Sequence, residues 1–208
     1  ISDEAVKFDD KLGKFITILG IPSAFLLHGY VGFIFGSIKA NPWWSSVLMP
    51  VVFLFSAIVS GMAAVLLIYM VTSWFRTRKV DMACLNRLTF FLIFAMLLDL
   101  TLETLDFVHR FYESEESIHI LSQLVTNRLF TSLIVLQFTL GGIVPLAGFI
   151  GARFLKSDRL RILCFFLSAV LVEVGIFAMR WNVVIGGQMF SKSLRGLTSY
   201  KVHMFGTE

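Results

Sequence analysis

The sequence predicts an all-α fold, a polytopic transmembrane helical bundle, and three observations predict it. Of 208 residues, 57% are hydrophobic and 15% charged, against roughly 45–50% and 25% in soluble domains. The runs Phe15 to Ile38, Ala40 to Phe75 and Leu129 to Ala152 contain no Lys, Arg, Asp or Glu, and about 20 apolar residues suffice to cross a bilayer. Backbone polar groups in hydrocarbon must be paired internally, and these runs are too long and unalternating for barrel strands. Disorder, a secreted disulfide scaffold and nucleic-acid binding are excluded, because the net charge of +4 is small and the basic residues stand at span ends.

Five spans follow in order, near 14–38, 46–75, 85–111, 129–155 and 160–188, in one membrane domain. Pro22, Pro50 and Pro145 interrupt three of them and predict kinks. Arg76, Arg78, Lys79 and Arg87 join the second span to the third, and Arg153, Lys156, Arg159 and Arg161 join the fourth to the fifth. Both connections are therefore cytoplasmic by the positive-inside rule, as is the N-terminal segment with Lys7, Lys11 and Lys14. The opposite connection, with Glu113, Glu115 and Glu116, is outside. The tail, with Lys192, Arg195 and Lys201, goes against the rule, as a loop leading to a further span would. Trp43 and Trp44 fit an outer interfacial belt and Trp74 an inner one. Ile118, Leu121, Val125 and Leu129 recur at helical spacing, predicting an amphipathic helix near 117–128 on the outer surface, either a connector or a docking surface.

Cys84 and Cys164 belong to no CxxC, CxxCH or Cys/His cluster, so the chain carries no signature of an iron–sulfur cluster, c-type haem or other metal site. Lacking an initiator Met and a signal peptide, the chain is read as an internal piece of a longer protein.

Ionisable residues inside spans cost several kcal/mol and mark function by default. In the third span these are Asp99, Glu103, Asp106 and Arg110. Spacings of four, three and four return them to one face within roughly 60°, on a stripe about 16 Å long. The stripe forms one wall of an outward-opening polar channel, flanked by His109; either arginines neutralise its acids or some carboxyls are protonated. The fifth span adds Glu173 near mid-membrane and Arg180, on the same face and about 10 Å nearer the outside, as charge balance for the acids. His28, central in the first span, is open to three readings: quinone ligand, haem ligand or packing histidine. Pairing with His109 on a haem is disfavoured, because the two differ in depth by roughly 10–15 Å. Gly29, Gly32 and Gly36, with Gly141, Gly142, Gly148 and Gly151, form small-residue faces for close helix packing.

The stretches His28-Gly29-Tyr30-Val31-Gly32-Phe33-Ile34-Phe35-Gly36, Asn41-Pro42-Trp43-Trp44, Ser56-Ala57-Ile58-Val59-Ser60-Gly61 and Arg180-Trp181-Asn182-Val183-Val184-Ile185-Gly186-Gly187-Gln188 resemble the NrfD/PsrC family of polytopic quinone-interacting membrane subunits. Within it, the last run followed by Phe190-Ser191-Lys192-Ser193 is similar to the DsrP-type subunits of the sulfite-reduction-associated DsrMKJOP complex. The resemblance implies a multi-pass subunit of a respiratory or sulfur-metabolism electron-transfer complex in a prokaryotic cytoplasmic membrane. It implies no bound haem or iron–sulfur cluster. Electrons would pass between menaquinone, or a related quinone, and a ferredoxin-like iron–sulfur subunit on the extracytoplasmic face, beside other membrane and cytochrome subunits. Family members have about eight to ten spans, so five spans correspond to a central and later portion. The resemblance also places a histidine at the His28 position in the quinone headgroup pocket, with Tyr30 a weaker candidate.

A quinone in lipid must exchange two protons with water, and Asp99, Glu103, Asp106 and His109 would relay them, with Glu173 and Arg180 balancing charge. The chain would not catalyse alone. Two alternatives are a proton-translocating element and a passive membrane anchor without its own quinone site. Translocation needs a polar route to both faces, whereas Phe90 to Leu98 and Ile162 to Val172 offer almost no protonatable side chain. An anchor leaves the burial of acids and Arg180 explained only as helix pairing.

Overall fold

The computed structural model of the chain describes residues 3–76, 80–113, 118–191 and 196–198. They form α1 (Asp3–Gly36), α2 (Met49–Phe75), α3 (Met82–Glu113), α4 (Ile118–Gln123), two π-helical stretches (Leu124–Arg128 and Phe130–Ile143), α5 (Val144–Ala152) and α6 (Asp158–Gln188). Five helical segments are long and apolar enough to span a membrane, the fourth being Phe130–Ala152. With no strand among the described residues, the chain is an all-helical, multi-pass membrane protein.

Helix ends differ from the expected ones for local reasons. α1 starts at Asp3 rather than residue 14, because its charged first turns, exposed at Lys7, Asp9, Asp10 and Lys11, continue the helix past the apolar run. α2 starts at Met49 rather than residue 46, because the Ser46 hydroxyl accepts from the Leu48 amide at 3.2 Å and turns the chain first. Pro50 therefore lies in the first turn of α2, where a missing N–H costs nothing, and it does not interrupt a span. α1 runs through Pro22. α3 starts at Met82, capped by Asp81, whose Oδ1 accepts from the Ala83 amide at 2.8 Å.

The fourth span departs most from the expected single α-helix over 129–155. It winds as a π-helix from Phe130 to Ile143 and changes to α at Val144, with Pro145 in the first turn of α5. The Val144 amide donates to Thr139 O, five residues back, and the next residue is the proline that cannot donate. The interruption expected at Pro145 is thus a change of winding.

The basic connections meet at one end. Arg161 donates to Asn86 Oδ1 at 2.6 Å and Arg153 to Asn86 O at 3.3 Å, fastening the fourth-to-fifth connection to the start of α3. Arg78 and Lys79 of this end, Glu115, Glu116 and Ser117 of the other, and Lys192, Ser193, Arg195 and Lys201 of the tail lie outside the described residues. The predicted outer amphipathic helix is α4 with the π stretch that follows. Its Leu121, Leu124 and Val125 are buried with Trp43, Leu129 and Phe190, so it closes the end of the bundle.

α6 packs on the long π stretch, α5 and α2, while α2 also holds α1 and α3. The small-residue faces make these approaches. A Cβ on Gly32 would stand 2.6 Å from Pro50 Cα, and one on Gly36 2.5 Å from Ser46 O. Gly141 and Gly175 bring the π stretch and α6 into backbone contact, and a Cβ on either would overlap the other residue. Gly29 and Gly151 face open space. Gly141→Ala is therefore expected to destabilise the bundle by about 1–3 kcal/mol, since backbone cannot yield as a side chain can. Gly151→Ala should be silent. Thermal unfolding of the two purified variants compares them.

Candidate functional site

The face predicted for α3 is the face that α3 buries. Asp99, Glu103, Asp106 and Arg110 are 4%, 8%, 3% and 5% exposed, although their helix has apolar side chains exposed on its other sides. Each has acquired a partner from elsewhere. Asp106 accepts from Ser46 of the α1–α2 loop and from Arg110 one turn on. Arg110 stacks over the Trp43 ring at 5.1 Å. Glu103 Oε2 accepts from Gln137 Nε2 at 3.0 Å, and Gln137 Oε1 accepts from Asn182 Nδ2 at 2.9 Å. Asp99 is an electrostatic neighbour of Arg180.

Arg180 itself donates to Ser56 at 3.2 Å and stacks over Phe53 at 5.0 Å. Glu173 accepts from Ser60 at 2.9 Å. The two α6 charges thus share a face, as their spacing predicts, and each is met by a serine of α2 rather than by the other. His109 stands apart. Its ring is 3.8 Å from Glu113, and both side chains are substantially exposed.

The loop between α1 and α2 covers the outer end of the stripe. Trp43 Nε1 donates to Asn182 O at 2.9 Å, Trp44 Nε1 to Val183 O at 2.7 Å, and Asn41 Nδ2 to Gly187 O at 2.7 Å. Gly186 and Gly187 make room, since a Cβ on either would enter an indole. Trp43 is buried and Trp44 half-buried, so they lock the bundle instead of facing lipid as an outer belt. A buried indole N–H needs an acceptor, and the last turns of α6 supply one to each. Trp74, in the last turn of α2, is exposed.

Among the described residues, two small cavities lie along the stripe. One, of about 20 Å³, is lined by Asp99, Glu103, Gln137 and Gly141 among others. The second, of about 30 Å³, is lined by Glu103, Asp106, Arg110, Trp43 and Asn182 among others. Such volumes suit one water molecule each and exclude an aromatic ring. Cavities of about 310 and 400 Å³ occur near Trp74 and near Cys84, away from every acid of the stripe.

His28 lies half-buried on α1, and Tyr30 is 63% exposed. The His28 Nδ1 is 2.9 Å from Ala24 O. A carbonyl can only accept, so Nδ1 carries the hydrogen, and in the neutral ring Nε2 is left as an acceptor. The depth of His28 follows from contacts at the outer end. Gly36 touches Ser46, and Ser46 bonds Asp106. His28 is then about 12 Å inward from that level and Asp99 about 10 Å, by the helical rise. The two share a depth, with α2 between α1 and α3.

Gln137, Asn182, Ser46, Ser56 and Ser60 complete the network; Ser56, Ser60 and Asn182 lie in the stretches that carry the family resemblance, whereas the sequence singles out neither Gln137 nor Ser46. Gln137 carries a signal that could have done so, as an amide in an otherwise charge-free span. Ser46 gives no such signal, serine being common in any environment.

A family profile described as "Polysulphide reductase, NrfD" matches residues 3–192. A stretch of 56 residues is 46% identical to a selenate reductase subunit of Mesobacillus selenatarsenatis; it makes up 27% of this chain and 13% of that protein. No solved structure matches.

Proposed function

Because the chain belongs to the NrfD polysulphide reductase family, we propose that it is the quinone-handling membrane subunit of a reductase complex. The observation that carries the proposal is a buried carboxyl stripe ending at the depth of His28. A structural role accounts for Asp106, held by Arg110 and Ser46, but not for Asp99 and Glu103, whose carboxyls border a cavity instead of a cation in contact. Acids placed at that cost fit proton exchange with a site in the hydrocarbon.

The stripe's own cavities are too small for a quinone headgroup, so a headgroup would lie on the flank of α1, where His28 and Gly29 are half-buried between exposed neighbours. His28 would hold it through Nε2, with Tyr30 on the adjoining exposed surface. A menaquinol bound there supplies two electrons, taken by an iron–sulfur subunit of the complex, and two protons. In the neutral ring, His28 Nε2 accepts a hydrogen bond and receives a proton. It can donate to a quinone carbonyl only after that proton has arrived. Asp99 and Glu103 would carry protons outward, with Arg180 keeping charge near Asp99, Glu173 held by Ser60, and His109 at the exposed margin.

The finer assignments rest on sequence alone. The run Arg180 to Gln188 with Phe190 and Ser191 supports a DsrP-type subunit acting in sulfur metabolism, and an extracytoplasmic ferredoxin-like partner fits the outward course of the stripe. The test is to add a menaquinol analogue anaerobically to the intact purified complex and follow its iron–sulfur centres by EPR. Reduction of those centres is expected. A complex whose centres respond neither to quinol nor, in reverse, to quinone is held by this chain as an anchor only.

A further inference from the structure

The polar core has two places for water and one carboxyl between them. Asp99 Oδ1 and Asn182 Oδ1 are buried and have no hydrogen-bond partner among the described residues, in side chains of residues 4% and 1% exposed. Asp99 lines the inner cavity and Asn182 the outer one. An unmade hydrogen bond on a buried oxygen is costly, and a polar cavity of more than about 10–15 Å³ with two to four polar partners holds a water. Both cavities, at about 20 and 30 Å³, pass that threshold. Asp99 and Glu103 offer partners in the first, and Glu103, Asp106 and Asn182 in the second.

From this we infer that one internal water occupies each cavity and that the Glu103 carboxyl is the sole protonatable bridge between them. Among the described residues that line both cavities, Glu103 is the one titratable group, and Gln137 is an amide. Gln137, tied to Asn182, holds Glu103 Oε2 in place. A proton taken by Glu103 from the inner water is matched by one released to the outer water, so the carboxyl returns to its starting state and a single proton has moved outward. Leu100, Val172 and Ile176 line the inner cavity with apolar side chains. The water sites stand on geometry; their use in proton transfer rests on the proposed quinone reading.

The experiment uses the intact complex in lipid nanodiscs. High-resolution cryo-EM is expected to show one density feature in each cavity, and dry cavities would overturn the inference. With menaquinol as reductant, a pH-indicating dye then follows proton release while EPR follows the iron–sulfur centres. Glu103→Gln, which keeps the shape, should retain both waters yet slow proton release at least tenfold, and Glu103→Asp should recover part of it. Unchanged proton release in Glu103→Gln sinks the bridge. Should both waters be present while wild type oxidises no quinol, the quinone reading fails and the water sites hold.

Discussion

His28→Phe is expected to lower menaquinol-driven reduction of the partner iron–sulfur centres by at least about 100-fold, the lower range of what a positioned acid–base group contributes. Assembly should be unaffected. The hydrogen bond that His28 makes goes to Ala24 of its own helix, which keeps its backbone pairing without it, and phenylalanine fills a similar volume on a half-buried flank. The discriminating measurement pairs EPR of the centres with the yield of intact complex. Full yield with silent centres assigns the defect to the site, whereas full yield with wild-type reduction removes His28 from it. Tyr30→Phe should have a much smaller effect, given its exposure.

Arg110→Met carries the largest expected cost in stability, about 3–5 kcal/mol. Both members of the Asp106–Arg110 pair are buried, and removing one partner leaves an uncompensated charge in a low-dielectric core. The double variant Asp106→Asn, Arg110→Met should recover most of the loss, since the pair as a unit is close to neutral relative to uncharged residues. Arg110→Lys keeps the charge but loses the planar stack on Trp43, and should fall between. Denaturant unfolding of the purified variants measures all three. A single variant as stable as wild type would show that Asp106 is not charged in the folded protein.

Much of this was legible in the sequence because hydrocarbon makes a few rules strict. Span number followed from the length of the apolar segments, and the face of α3 from a spacing of four, three and four. What was not legible falls into two kinds. The π winding of Phe130–Ile143 leaves no trace in a run apolar on all sides, because periodicity needs contrast. The partners of Trp43, Asp106 and Glu103 lie far away in sequence, so each could be recognised as needing a partner but not assigned one. Two of the stretches that carry the family resemblance, Asn41 to Trp44 and Arg180 to Gln188, touch each other, a contact no local rule anticipates.

That contact joins residues 139 positions apart, which sets an order of events during synthesis. At about 5–20 residues per second, roughly 7–28 s separate the emergence of Trp43 from that of Asn182. α3 emerges within that interval, so its carboxyls reach the bilayer before Arg180, Asn182 and the indole locks are in place. A nascent chain stopped short of α6 therefore presents open indole N–H groups and uncovered acids together, and both are covered only when the last span packs.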